Sequence, residues 1–155
     1  MAGHRVVHGG QTFTEPAEIT PTVMTEMDRL APLAPMHQPH SIAAVQAISG
    51  AKPELRQIAC FDTSFHPTQP RVAQLYALPH SLSDMGILKY GFHDVSYDYI
   101  ASVLPQHAPD AADGRIIVAH LGRGASMCAM KNRRRVATAM GFEALGGLVM
   151  GRRTG

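Results

Sequence analysis

Ile58-Ala59-Cys60-Phe61-Asp62-Thr63 is a continuous apolar run closed by two polar residues. Such a run reads as a short buried strand whose polar residues emerge at its carboxyl end. Apolar residues on both sides of it recur at helical spacing. Upstream, Ile19, Val23, Met27, Leu30 and Leu33 recur at spacings of three and four, which predicts an amphipathic helix beginning near Thr20 or Pro21 and ended by Pro32. Ser41 is placed to cap a second helix with Ile42, Val45 and Ile48 on one face and Gly50 as its stop. Further upstream, the β-branched pair Val6-Val7 is stopped by Gly9 and Gly10 and reads as the end of another strand. Downstream, Asp94 is expected to cap a helix carrying Val95, Tyr99, Ile100, Val103 and Leu104 and terminated by Pro105. Residues 106–114 have linker composition, a candidate boundary. Arg115 to His120 then reads as a strand, Gly122-Arg123-Gly124 as a tight turn, and Ala125 to Met130 as the returning strand of a new sheet. The order strand, helix, helix, strand, helix, hairpin gives an α/β class. In such folds ligands sit at the carboxyl ends of strands, where Asp62 lies.

Composition narrows the function classes. A chain of 155 residues with 45% hydrophobic content can bury one ordinary core, or parts of two that need neighbours to close. Its 14 basic and 12 acidic side chains leave a net charge of +2, too small to imply nucleic acid or a membrane surface as a partner. Cys60 and Cys128 lie far apart, with no CxxC spacing, as free thiols in a reducing compartment do. The apolar stretches are too short to span a bilayer and the N-terminus lacks a signal-peptide layout, so a soluble cytoplasmic protein is expected. The charged run Lys131-Asn132-Arg133-Arg134-Arg135 reads most simply as an exposed turn after a strand.

Individually, the polar candidates stay ambiguous. Gly122-Arg123-Gly124 fits an ordinary hairpin, or a backbone cradle in which glycine lets peptide N–H groups approach phosphate oxygens; it lacks the GK[ST] ending of a P-loop. The nine histidines include no HExxH, and no metal ligated by this chain alone is expected. Asp62 suits a turn cap, a base, a group that orients a nucleophile, or a Mg²⁺ ligand. His93 is equally open. Arg5, Arg152 and Arg153 are either solvated or an anion clamp.

Several runs acquire meaning from their order: HRVVHGG (4–10), LAP followed by His37 and Pro39, FDTSFH (61–66), YALPHSL (76–82), KYGFH (89–93), AHLGRGAS (119–126), AMGFEALGGLVMG (139–151) and the terminal RTG. Over nearly the whole chain this set resembles the acetokinase family of acetate, propionate and butyrate kinases. That family is a branch of the acetate and sugar kinase/Hsc70/actin (ribonuclease H-like) superfamily. The resemblance implies two α/β domains with the active site in the cleft between them. Residues 1–110 would form the later part of the first domain and 111–155 the opening of the second, with further family sequence expected before Met1 and after Gly155.

The implied reaction moves a phosphoryl group between ATP and a short carboxylate such as acetate, with Mg²⁺, giving ADP and acyl phosphate. Carried over by position, Asp62 matches the catalytic aspartate, Arg5 a substrate-binding arginine, His93 and Arg153 the residues that stabilise the transferring phosphoryl group, and His37 a supporting active-site histidine. His120-Leu121-Gly122-Arg123-Gly124 matches the nucleotide-phosphate loop. There Arg123 replaces the family's asparagine: arginine can contact a phosphate, and its bulk can also obstruct close backbone approach. Asp94, Val95 and Tyr97 replace glycine, threonine and histidine, and Asp94 is expected to repel an incoming phosphate. Glu143, Ala144, Gly146 and Arg152 are further departures. The family's metal-binding asparagine and glutamate and its adenosine-binding segments lie outside this chain. The expectation is therefore a phosphotransferase portion inactive by itself, working as a homodimer or with a complementing chain. The alternative is a non-catalytic remnant or interaction module of the same fold, with no nucleic acid or membrane partner in either case. The hairpin of 115–130 would leave an exposed sheet edge.

Overall fold

The apolar run at Ile58–Phe61 forms the centre of a sheet. In this computed structural model, which describes residues 1–65 and 68–151, strand β1 (Ala2–Val6) pairs in parallel with β3 (Gln57–Phe61), and the short β2 (Ala17–Glu18) pairs antiparallel on the other side of β3. Helices α1 (Pro21–Arg29) and α2 (Gln38–Ala51) lie between β2 and β3 in sequence. Val6, Met27, Ile42, Val45, Ala59 and Phe61 form one buried cluster, so the apolar faces of both helices close on the sheet. These elements make up the first of two compact units, Met1–Ser64; the second is Phe65–Gly155.

The helix limits differ from the sequence expectation. Thr20 caps α1 as expected, its side chain accepting the Val23 N–H at 3.3 Å. The helix stops at Arg29, ahead of Pro32, which sits in a 3-10 turn over Ala31–Leu33. Helix α2 starts at Gln38, ahead of Ser41, with Pro39 in the first turn, where its missing N–H costs nothing. Ser41 lies inside the helix and turns its hydroxyl back to the His37 carbonyl at 3.4 Å. Gly50 is helical too.

In the second unit, short helices α3 (Arg71–Gln74) and α4 (His80–Asp84) precede α5 (Asp94–His107), α6 (Pro109–Ala112) and an antiparallel sheet of β4 (Arg115–Leu121), β5 (Ala125–Lys131) and β6 (Arg134–Thr138), in the order β4-β5-β6. The cap of α5 is His93, not Asp94, and Pro105 is accommodated inside the helix, where only the last turn loses a bond. The linker-like segment carries α6. The largest correction concerns 131–135. Asn132 (φ 52°) and Arg133 (φ 61°) form the hairpin turn, both central residues taking the positive φ of a type I′ connection. The chain then enters β6, where Arg135 is 0% exposed. Met130 lies opposite Arg135 and Ala129 opposite Ala137, which leaves Val136 as an extra residue, a β-bulge.

One face of this sheet packs on α5: Phe65, Tyr97, Ala101, Cys128 and Met130 form a buried cluster joined by Ile116 and Val118. The alternate residues point the other way. Ile117 is 74% and Leu121 72% exposed.

Candidate functional site

The first unit assembles a carboxylate–guanidinium pair. Parallel pairing of β1 and β3 sets Arg5 opposite Cys60 and Val6 opposite Phe61, so Asp62 emerges beside Arg5. The Arg5 Nε donates to Asp62 Oδ2 at 3.0 Å, and Nη2 forms an ion pair with the same oxygen. Asp62 is 1% exposed, and its backbone N–H donates to the Val6 carbonyl at 2.8 Å. Its other oxygen, Oδ1, is buried without a hydrogen-bond partner among the described residues. An unsatisfied buried acceptor costs about 1–3 kcal/mol, and it offers a lone pair to a cation or a donor. Thr63 Oγ1 accepts the Gly9 N–H at 2.9 Å. His37 is exposed at the start of α2. The next residue, Gln38, is fully buried: its Oε1 accepts the His8 N–H at 3.1 Å and its Nε2 donates to the His8 carbonyl at 3.1 Å. One side-chain amide thus ties the His37 segment to the HRVVHGG strand end, a role the sequence did not announce.

The second unit brings together His93, His120 and the glycine turn. His93 adopts φ 63°, ψ 24°, a left-handed conformation that costs a non-glycine residue on the order of 1–3 kcal/mol. Its ring stacks on that of His120, with centroids 4.0 Å apart and planes 13° apart. His93 Nδ1 lies 2.8 Å from the Ser126 hydroxyl, to which the Tyr97 hydroxyl is also hydrogen-bonded. His120 Nδ1 lies 3.2 Å from the Ser96 hydroxyl. The β4–β5 register makes this possible by setting His120 opposite Ser126. Burial pushes the Tyr97 phenol above its usual range, against the opposing effect of its hydrogen bond with Ser126, so Tyr97 holds its proton. At the turn, the Gly122 N–H donates to the Gly124 carbonyl at 3.0 Å. A Cβ on Gly124 would sit 3.0 Å from His93 Nε2, so a larger residue there would push the imidazole back by a few tenths of an ångström. Leu121 and Arg123 are exposed.

Asp94 does not behave as expected. It is 0% exposed, forms an ion pair with Arg135 Nη2, and accepts the Phe65 N–H at 2.7 Å on its other oxygen. Its charge is neutralised inside the unit and is not presented to an incoming anion. Arg152 and Arg153 lie outside the described residues. Among the described residues no group of three or more His, Cys, Asp or Glu could hold a metal, and no helix is long and apolar enough to cross a membrane.

The chain superposes on acetate and propionate kinases, which places its mixed α/β units in the actin- and Hsc70-like class of folds. The crystal structure of Porphyromonas gingivalis acetate kinase superposes with a TM-score of 0.90 at 40% identity, covering 99% of this chain and 39% of that one. The propionate kinase from Francisella tularensis subsp. tularensis SCHU S4 gives 0.93 at 39% identity, covering 99% and 40%. The acetate kinase of Rhodopseudomonas palustris (strain TIE-1) is 54% identical over 154 residues, 99% of this chain and 39% of the relative. The model of the Acetokinase family matches residues 1–155, and the chain belongs to that family. It spans about two fifths of the length of the relatives it matches.

Proposed function

We propose that this chain is a portion of a short-chain carboxylate kinase that transfers a phosphoryl group between ATP and acetate or a close homologue, and that it does not turn over by itself. The observation that carries the reading is the approach of the Gly122–Gly124 turn to His93. The Tyr97 hydroxyl and His93 Nδ1 share hydrogen bonds with the Ser126 hydroxyl, which orients the His93 ring with Nε2 toward the turn. An imidazole edge held against a glycine turn suits contact with phosphoryl oxygens, and phosphoryl transfer depends on such positioning and charge neutralisation. In this reading His93 and Arg153 contact the transferring group. His120, Leu121, Gly122, Arg123 and Gly124 follow the nucleotide phosphates, Arg5 and His37 hold the carboxylate substrate, and Asp62 orients it.

The residues present fit Mg²⁺ in part. Asp62 Oδ1 would supply one oxygen toward the ion or a phosphate it carries; among the described residues no group of three or more His, Cys, Asp or Glu joins it. Bound with the nucleotide, Mg²⁺ supplies neutralisation of the phosphate charge. Residues 1–110 are assigned to the first family domain and 111–155 to the second, in a cytoplasmic protein completed by a homodimer partner or a complementing chain, with no nucleic-acid or membrane partner. The second reading, a non-catalytic module of the same fold, is favoured by the cationic Arg123 exposed in the turn.

Incubated with acetate and Mg-ATP, the 155-residue chain is expected to form no acetyl phosphate trappable as hydroxamate. Turnover within about tenfold of a full-length relative, lost in Asp62→Asn, overturns the claim of inactivity. Calorimetric titration with ADP bears on the second reading: measurable binding shows that Arg123 is tolerated in the turn and removes the observation that favours a non-catalytic module.

A further inference from the structure

The left-handed backbone of His93 needs something to hold it, and the segment that contains it is gripped at both ends by one buried side chain. Arg135 Nη1 donates to the Tyr90 carbonyl at 3.1 Å, while Nη2 pairs with the Asp94 carboxylate. Tyr90 and Asp94 bracket the segment Gly91-Phe92-His93. Gly91 itself is left-handed (φ 67°), and a Cβ there would lie 2.6 Å from Arg135 Nη1, so the guanidinium is packed directly on the backbone leading into His93. The second carboxylate oxygen of Asp94 accepts the Phe65 N–H at 2.7 Å. Arg135 also lies over the Phe65 and Tyr97 rings, 5.4 and 5.6 Å from their centroids, and Tyr97 is the residue whose hydroxyl reaches Ser126 and thus His93 Nδ1. Both the backbone and the ring of His93 therefore depend on the Arg135–Asp94 pair.

We propose that Asp94 and Arg135 are positioning residues that clamp His93 in its left-handed conformation and direct its Nε2 at the Gly122–Gly124 turn. Both residues are fully buried, and their contacts named above run to Tyr90, Gly91, Phe65 and Tyr97, so their effect on the turn passes through His93. A lysine at position 135 would keep the charge but lack the planar fork that reaches Tyr90 and Asp94 together. A neutral amide pair would keep hydrogen bonding without leaving one charge buried alone. The importance of His93 for phosphoryl contact rests on the function proposed above, whereas the clamp itself does not.

The test is nitrogen-detected NMR of the histidine rings in the 155-residue chain without ligand, comparing it with Arg135→Lys and with the double variant Asp94→Asn/Arg135→Gln. The exposed His40 serves as the internal reference. Expected is a single-tautomer pattern for His93 in the parent chain, shifting toward a solvent-averaged mixture in any folded variant while His40 is unchanged. An unchanged His93 pattern in a folded variant overturns the proposal. So does failure of both variants to fold, which would assign the pair to fold maintenance alone. Addition of Mg-ADP tests the function separately: a shift of the His93 signals supports the phosphotransfer reading, whereas the clamp is decided by the ligand-free comparison of parent and variants alone.

Discussion

Asp94 and Arg135 carry full opposite charges at zero exposure, and burying such a pair costs several kcal/mol per ion before attraction and hydrogen bonds offset it. Here the Phe65 N–H, the Tyr90 carbonyl and two aromatic faces offset part of that cost, while Arg135 Nε has no hydrogen-bond partner among the described residues. Around the guanidinium sit neutral groups whose ionisation the interior opposes. Burial pushes the Cys128 thiol up, although Arg135 pulls the other way, and burial likewise raises the Tyr97 and Tyr90 phenols. An acid whose pKa is raised on folding ionises first in the unfolded chain. The folded state is then favoured below the unfolded values, about 8.5 for a thiol and about 10 for a phenol, and loses that advantage as pH climbs through them. Thermal midpoints are therefore expected to fall from about pH 8.5 upward, and Cys128→Ala should flatten the first part of the decline. A midpoint that stays level or rises to pH 11 would contradict the assigned directions.

At the scale of elements, the sequence was most readable where periodicity and burial coincide. The run at Ile58 fixed β3, the three-and-four spacing located α1, and Arg115 to Met130 formed the expected hairpin with its glycine turn. What escaped was set by partners remote in sequence. Arg135 looked like one more solvated cation in a basic run, because the carboxylate that neutralises it is 41 positions away. Ser41 and Pro105 carry local boundary signals, yet α2 begins before one and α5 runs past the other, as tertiary packing routinely overrides such signals. In the site, His93, His120 and the glycine turn were legible from the ordered motifs. Ser126 stood inside one of those motifs, but its contact with His93 Nδ1 depends on the β4–β5 register and could not be read locally. The outer face of that sheet has a consequence of its own. Ile117 and Leu121 lie mostly in solvent on β4, at the edge of the three-strand order, and exposed apolar edges promote association. Ile117→Lys/Leu121→Lys is expected to lower the concentration-dependent rise in light scattering without reducing the melting temperature by more than a few degrees. Scattering equal to that of the parent would remove this face as the cause.

For the whole chain, membership of the acetokinase family sits beside a span of about two fifths of the relatives' length. The described residues accordingly supply an aspartate–arginine pair in one unit and a histidine–glycine turn in the other, without a metal-ligand cluster. The chain's tolerance of mutation depends on counting as well as on chemistry. Residues three apart in a regular strand face opposite ways, yet Arg135 and Thr138 both reach Gly91. The extra residue Val136 supplies the missing step in the pleat, so its presence matters more than its identity. Exchange of Val136 for threonine should be nearly silent in a melting experiment, whereas deletion of that one residue should turn either Arg135 or Thr138 away from Gly91 and sharply lower the melting temperature. Equal effects from the two changes would refute this. Sequences that keep this packing should therefore vary in letter at position 136 and be constant in length across it.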